Sequence, residues 1–97
     1  MAISDDAAAK ARAAATYNAA ADHYDDSANS FWGRFGQHTV ERLALPPGAR
    51  VLDVCCGSGA SSLPAAERVG PGGHVLGVDL AEELLTLARA KGAARGL

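Results

Sequence analysis

Apolar positions change their period along the chain. Between Tyr17 and Leu43 they recur at spacings of three and four, as on one face of a helix, whereas Val51–Val54 and Val75–Val78 are short, nearly unbroken apolar runs. Such runs suit parallel strands covered on both faces. An Ala-rich segment follows Ser4, Asp5 and Asp6, which predicts a capped helix running to about Thr16. Its alanines favour helix but bury little, so it is expected to be loosely held at the surface. Tyr17 to Asp25 either continues that helix or starts another, with Tyr17, Ala20 or Ala21, and Tyr24 sharing a face. The turn-forming cluster from Asp25 to Ser30 then marks a boundary. Ser30 is expected to cap a helix from Phe31 to Leu43 whose inward stripe is Trp32, Phe35, Thr39, Val40 and Leu43. Gly33 and Gly36 each weaken that helix by about 1 kcal/mol and either permit a close approach or are merely tolerated.

Pro46-Pro47-Gly48 separates this helical part from the C-terminal half of the chain. A strand from Arg50 to Val54 or Cys55, a helix from about Ala60 to Val69, a strand from His74 to Asp79 and a helix from Ala81 to about Arg95 form a β-α-β-α unit. Pro64 fits the first turn of its helix, where its missing N–H has no partner to lose. Gly70-Pro71-Gly72-Gly73 makes the turn between helix and strand. The last helix buries Leu84, Leu87 and Ala88, carries Arg89, Lys91 and Arg95 toward its C-terminal end, and stops at Gly96.

The chemistry is concentrated at the first strand-to-helix turn, Val51-Leu52-Asp53-Val54-Cys55-Cys56-Gly57-Ser58-Gly59. Gly57 and Gly59 allow a sharp bend and close backbone approach to a ligand, and the N–H groups opening the next helix attract negative charge. Asp79 ends the second strand, where a strand-helix-strand unit places a carboxylate beside ribose hydroxyls. Asp53 discriminates between ligands. Immediately before the turn it would repel the pyrophosphate of a dinucleotide, but it suits the ammonium and carboxylate of an amino-acid tail, as in S-adenosylmethionine.

These residues resemble the first motif of class I S-adenosylmethionine-dependent methyltransferases, V-L-D-x-G-C-G-T-G, and Val75-Leu76-Gly77-Val78-Asp79-Leu80 resembles their second-strand motif. Tyr17-Asn18-x-x-Ala21-x-x-Tyr24-Asp25, Phe31-Trp32 and Leu45-Pro46-Pro47-Gly48-Ala49-Arg50 are similar to the N-terminal region of the ubiquinone/menaquinone-biosynthesis type and its small-molecule relatives. The resemblance implies an α/β chain that is the N-terminal part of a Rossmann-like fold, with its parallel sheet incomplete. Residues 1–45 would form a helical segment covering the cofactor, and residues 46–97 the first β-α-β-α unit of the cofactor-binding domain. The implied cofactor is S-adenosylmethionine, held by Tyr24, Trp32, Asp53, Cys55, Cys56, Gly57, Ser58, Gly59, Asp79 and Leu80. The implied acceptor is a small molecule. Cys55 stands where the pattern has glycine and narrows the space for the methionine end, and Ser58 replaces threonine. Ala81 lacks the usual capping side chain, a loss of about 1 kcal/mol that Glu82 and Glu83 partly offset through the helix dipole.

Composition narrows the partners. With 97 residues, 48% hydrophobic and 21% charged, the chain suits one small globular unit. A formal charge of −2 gives no reason to expect nucleic acid or an anionic membrane surface. No apolar run suggests a membrane span or a secretory signal, so a cytoplasmic location is expected. Cys55 and Cys56 are adjacent and have no histidine at ligand spacing, which argues against a metal site; they read as small residues at a strand end. His23, His38 and His74 are scattered, and no residue can be named as a catalytic base. Two strands leave a sheet face open. The expected state is therefore a portion that is inactive alone and is completed by further sequence or by a homo-oligomer. The competing readings are the nucleotide-binding part of an NAD(P)-dependent oxidoreductase, using Gly57-Ser58-Gly59-x-x-Ser62, and a non-catalytic piece assembling through an exposed strand edge.

Overall fold

The computed structural model describes residues 6–97. Ser4 and Asp5, expected to open the first helix, lie outside the described residues. Helix α1 spans Ala7–Tyr24, and the Asp6 carboxylate caps it by accepting the Ala9 N–H at 2.8 Å. No glycine or proline interrupts the segment, so Tyr17 continues the helix. No residue of α1 before Ala21 is buried, as expected for the Ala-rich segment, and the helix is held by the face that Tyr17, Ala21 and Tyr24 were expected to share. Ala21 is buried against Ala81 and Leu84, with Tyr24 and Leu87 packed around them.

A short 3₁₀ turn, Ser27–Asn29, leads to helix α2, Phe31–Leu43. Ser30 precedes α2 in a helical conformation and caps nothing; its hydroxyl accepts from the Arg34 guanidinium at 3.1 Å. The predicted inward stripe of α2 is closely packed only at Val40. Val40 is buried, but Phe35 is 64% and Leu43 58% exposed, and Trp32 and Thr39 are exposed as well. The helix instead approaches the rest of the molecule at Gly36, where an added Cβ would overlap the Ala60 carbonyl. The contact is thus made by a missing side chain, whereas Gly33 faces open space.

Strand β1, Arg50–Val54, and strand β2, His74–Val78, pair in parallel with Val51 opposite Val75 and Asp53 opposite Gly77. Helix α3, Ser62–Val69, makes the crossover with Pro64 in its first turn, and helix α4 spans Glu82–Ala94. Along both strands burial alternates, with Val51, Asp53, Val75 and Gly77 on the covered side. The other side carries Leu52, Val54, Leu76 and Val78, which remain exposed. The strands are apolar on both faces, as two-sided burial requires, but among the described residues only one face is covered.

Helix α4 begins without a capping side chain of its own at Ala81. Asn18 of α1 supplies one from a distance, its Oδ1 accepting the Glu83 N–H at 3.0 Å. Asp79 adds a second, its Oδ1 accepting the Ala81 N–H at 2.8 Å. At the far end Gly96 takes φ +73° and closes the helix. Among the described residues no helix is long and apolar enough to cross a membrane.

Candidate functional site

The C-terminal ends of β1 and β2 open into a cavity of about 620 Å³. Its floor is the loop after β1, with Asp53, Cys55, Cys56, Gly57 and Ser58; Asp79 and Leu80 form one side. Tyr17 and Tyr24 of α1 and Trp32 and Phe35 of α2 form the other. Tyr24 and Trp32 lie parallel, 6.5 Å between ring centroids and 6° between planes. Every sequence-predicted site residue except Gly59 lines this cavity. Gly59 acts from behind it. At φ +98° it turns the chain into α3, and a Cβ there would press on Leu63 at 3.0 Å.

The loop holds its shape by consuming its own polar groups. Asp79 Oδ2 accepts the Gly57 N–H at 2.8 Å, the Cys56 N–H binds the Val78 carbonyl at 3.0 Å, and the Gly59 N–H binds the Cys56 carbonyl at 3.0 Å. The Gly57 and Gly59 amides are therefore not among the N–H groups open to an anion: both are engaged within the protein. Asp53 ties the loop to α3 by accepting the Ser62 hydroxyl at 2.6 Å. The loop also needs left-handed backbone, with Gly57 at φ +54° and Cys55 at φ +59°. Glycine enters that region freely, but cysteine does so at a cost.

Cys56 is buried, and Gly77 has no side chain because a Cβ would stand 2.8 Å from Cys56 Sγ. Burial first, then the Asp53 and Asp79 carboxylates, push the Cys56 thiol above its ordinary value, so it stays protonated near neutral pH and is a poor nucleophile. Burial likewise raises the Tyr24 phenol, with smaller contributions from Tyr17, Asp79 and Asp25. Ser58, 3% exposed, donates to Asp25 Oδ1 at 2.7 Å. Asp25 and Ser62 are site-building residues that sequence reasoning missed. Asp25 follows Tyr24 in the resembling motif, and Ser62 sits one turn past Gly59, so each has a positional signal. His23, His38 and His74 are exposed and outside the cavity wall. Among the described residues no group of histidine, cysteine or carboxylate side chains is placed to hold a metal ion.

A parallel β-α-β crossover with a glycine turn at the end of its first strand and a carboxylate at the tip of its second defines a Rossmann-like unit. Residues 51–97 match the family described as Methyltransferase domain. The chain is 43% identical over 74 residues to nocamycin O-methyltransferase of Saccharothrix syringae, a match covering 76% of this chain and 26% of that protein. It is 44% identical over 77 residues to 2-phytyl-1,4-naphtoquinone methyltransferase of Synechocystis sp., covering 73% and 32%. Demethylmenaquinone methyltransferase of Listeria welshimeri is 40% identical over 58 residues, covering 60% and 25%. Residues 51–97 thus match a methyltransferase domain, the chain resembles class I methyltransferases, and the matches span about a quarter to a third of these curated relatives.

Proposed function

We propose that the cavity binds S-adenosylmethionine and that this segment supplies the cofactor-binding part of an enzyme that methylates a small molecule. The observation that carries the reading is the electrostatics of the floor. Asp53 and Asp79 line the cavity, among the described residues its wall contains no Lys or Arg, and the Gly57 and Gly59 amides are engaged. A pyrophosphate would meet carboxylates and engaged donors, which disfavours the NAD(P) alternative. A zwitterionic tail and a sulfonium suit such a site.

When bound, the cofactor supplies an electrophilic methyl group on a positively charged sulfur. The chain's own residues bind and orient it. Asp79 has one lone pair left on each oxygen after serving Gly57 and Ala81, and these accept the ribose hydroxyls. Asp53 faces the ammonium end, directly or through water. The Tyr24 and Trp32 faces cover the sulfonium and adenosine, where an electron-rich ring attracts a cation, and Leu80 adds an apolar wall beside Asp79. Cys55, Cys56, Gly57 and Ser58 shape the floor, with Gly59 turning the chain behind it. Within the segment 1–45 the described residues 6–45 thereby act as the cover, and residues 46–97 as the cofactor-binding unit. Two of the named relatives are a nocamycin O-methyltransferase and a 2-phytyl-1,4-naphtoquinone methyltransferase, which supports a small-molecule acceptor here.

Calorimetry with S-adenosylhomocysteine and with NAD tests this. Heat for the first alone is expected, and heat for NAD alone would end the assignment. The exposed Leu52, Val54, Leu76 and Val78 support the further reading that the segment alone binds weakly and transfers no methyl group. Robust turnover by the 97-residue chain would refute that part. The same exposed face favours one second reading, a non-catalytic assembly piece, which a strict folded monomer in light scattering would exclude.

A further inference from the structure

Asp25 is the last residue before the chain leaves α1, and its carboxylate reaches two other elements at once. Oδ1 accepts the Ser58 hydroxyl at 2.7 Å on the glycine loop, and Oδ2 pairs with Lys91 Nζ at 3.0 Å on α4. The Ser58 contact is shielded, since Ser58 is only 3% exposed, whereas the Lys91 pair is partly open to water, at 34% and 41% side-chain exposure. The hydrogen bond is therefore the stronger of the two tethers and the ion pair the weaker.

The chain neighbours of these groups make the tether matter. Asp25 follows Tyr24, and Ser58 follows Gly57. The Tyr24 hydroxyl stands 3.6 Å from where a Gly57 Cβ would be, and the Tyr24 ring stacks with Trp32. The Asp25–Ser58 bond thus joins the aromatic wall of the cavity to its glycine floor, one residue away from each. The second polar clamp on α1, Asn18 to the Glu83 N–H, sits two turns earlier in the helix and does not touch the loop. We infer that Asp25 is a positioning residue that sets the distance between wall and floor, and so the fit of the cofactor, through Ser58. The inference rests on the S-adenosylmethionine reading and adds a residue to it.

Asp25→Ala, Asp25→Asn and Lys91→Met separate the contacts. Two readouts are taken on the full chain: S-adenosylhomocysteine affinity by calorimetry, and ligand-free hydrogen exchange of the amides in the last two turns of α1. Asp25→Ala is expected to weaken binding about tenfold and to speed that exchange several-fold. Asp25→Asn keeps an oxygen for the Ser58 hydroxyl and is expected to recover most of both, and Lys91→Met to change affinity by no more than about threefold. Wild-type affinity and exchange in Asp25→Ala would overturn the inference alone. So would a loss in Lys91→Met equal to that in Asp25→Ala, since the ion pair would then be the tether. A wild-type chain that binds no S-adenosylhomocysteine removes the cofactor reading and this role with it. Circular dichroism matched to wild type qualifies each variant; should Asp25→Ala unfold, Ser58→Ala removes the same hydrogen bond from the other side, and wild-type affinity and exchange in it would overturn the inference.

Discussion

Replacing Cys55 by glycine should stabilise the protein, which is the opposite of what most substitutions do. Cys55 sits at φ +59° in a loop where Gly57 and Gly59 take φ +54° and +98°. An L-residue pays about 1–2 kcal/mol for the left-handed region, and glycine does not. Glycine returns about 0.4–1 kcal/mol of that through the greater freedom of its unfolded chain. Because Cys55 is exposed, almost no buried sulfur surface is lost. The net gain is about 0.5–1 kcal/mol. In urea unfolding this raises the midpoint by roughly 0.3–0.8 M with an unchanged slope. Cys55→Ala is the control, because it removes the sulfur but keeps the Cβ that makes the conformation costly. An unchanged or lowered midpoint in Cys55→Gly would refute the reasoning, as would an equal gain in Cys55→Ala.

Asp79→Asn leaves one acceptor oxygen where the Gly57 and Ala81 N–H groups now have two. It should lower the unfolding midpoint and weaken S-adenosylhomocysteine binding by roughly 1.5–3 kcal/mol; a lowered midpoint with unchanged affinity by calorimetry would make Asp79 purely structural. Gly36→Ala drives a methyl into the Ala60 carbonyl and should cost about 1–3 kcal/mol, while Gly33→Ala meets open space and should gain up to about 1 kcal/mol. Equal effects of the two in thermal unfolding would mean that α2 does not dock through Gly36. Burial and the neighbouring carboxylates hold the Cys56 thiol above its ordinary value of 9.0 in the folded chain, so its contribution to stability is complete below that pH and is lost as pH rises through the folded value. Urea midpoints between about pH 7 and 10.5 should fall at the alkaline end, and Cys56→Ala should flatten that fall; the same slope in both proteins would count against it.

What was legible in the sequence is what neighbouring residues determine among themselves. The two strands, the Gly70–Gly73 turn, Pro64 in a first turn and the Gly96 stop all follow from period or from backbone freedom within a few positions, and the structure places them where those rules do. Contacts across the chain were not legible. The cap of α4 comes from Asn18, 65 positions away from Glu83, and the Ser58 hydroxyl is satisfied by Asp25, 33 positions away. Periodicity identifies an apolar stripe on α2, but the docking point is Gly36, which carries no side chain for a hydrophobic pattern to register. Strands β1 and β2 read as buried twice over because residue type reports what could be covered, and covering it takes a second layer.

The glycine loop shows why a partial reading still points to the matched family. Left-handed φ values at Gly57 and Gly59 signal a turn made for close approach, but they do not say whether the amides there face a ligand or the protein. The carboxylates decide that. With Asp79 on the Gly57 N–H and Asp53 on the Ser62 hydroxyl, negative charge stands at the places a phosphate would need vacant. Those two aspartates can be picked out in the sequence by their position at strand ends, before any contact is known. Under the proposed cofactor reading, ligand charge is therefore readable earlier than ligand geometry. The fit of the cavity, which depends on the tether between Asp25 and Ser58, had to wait for the fold.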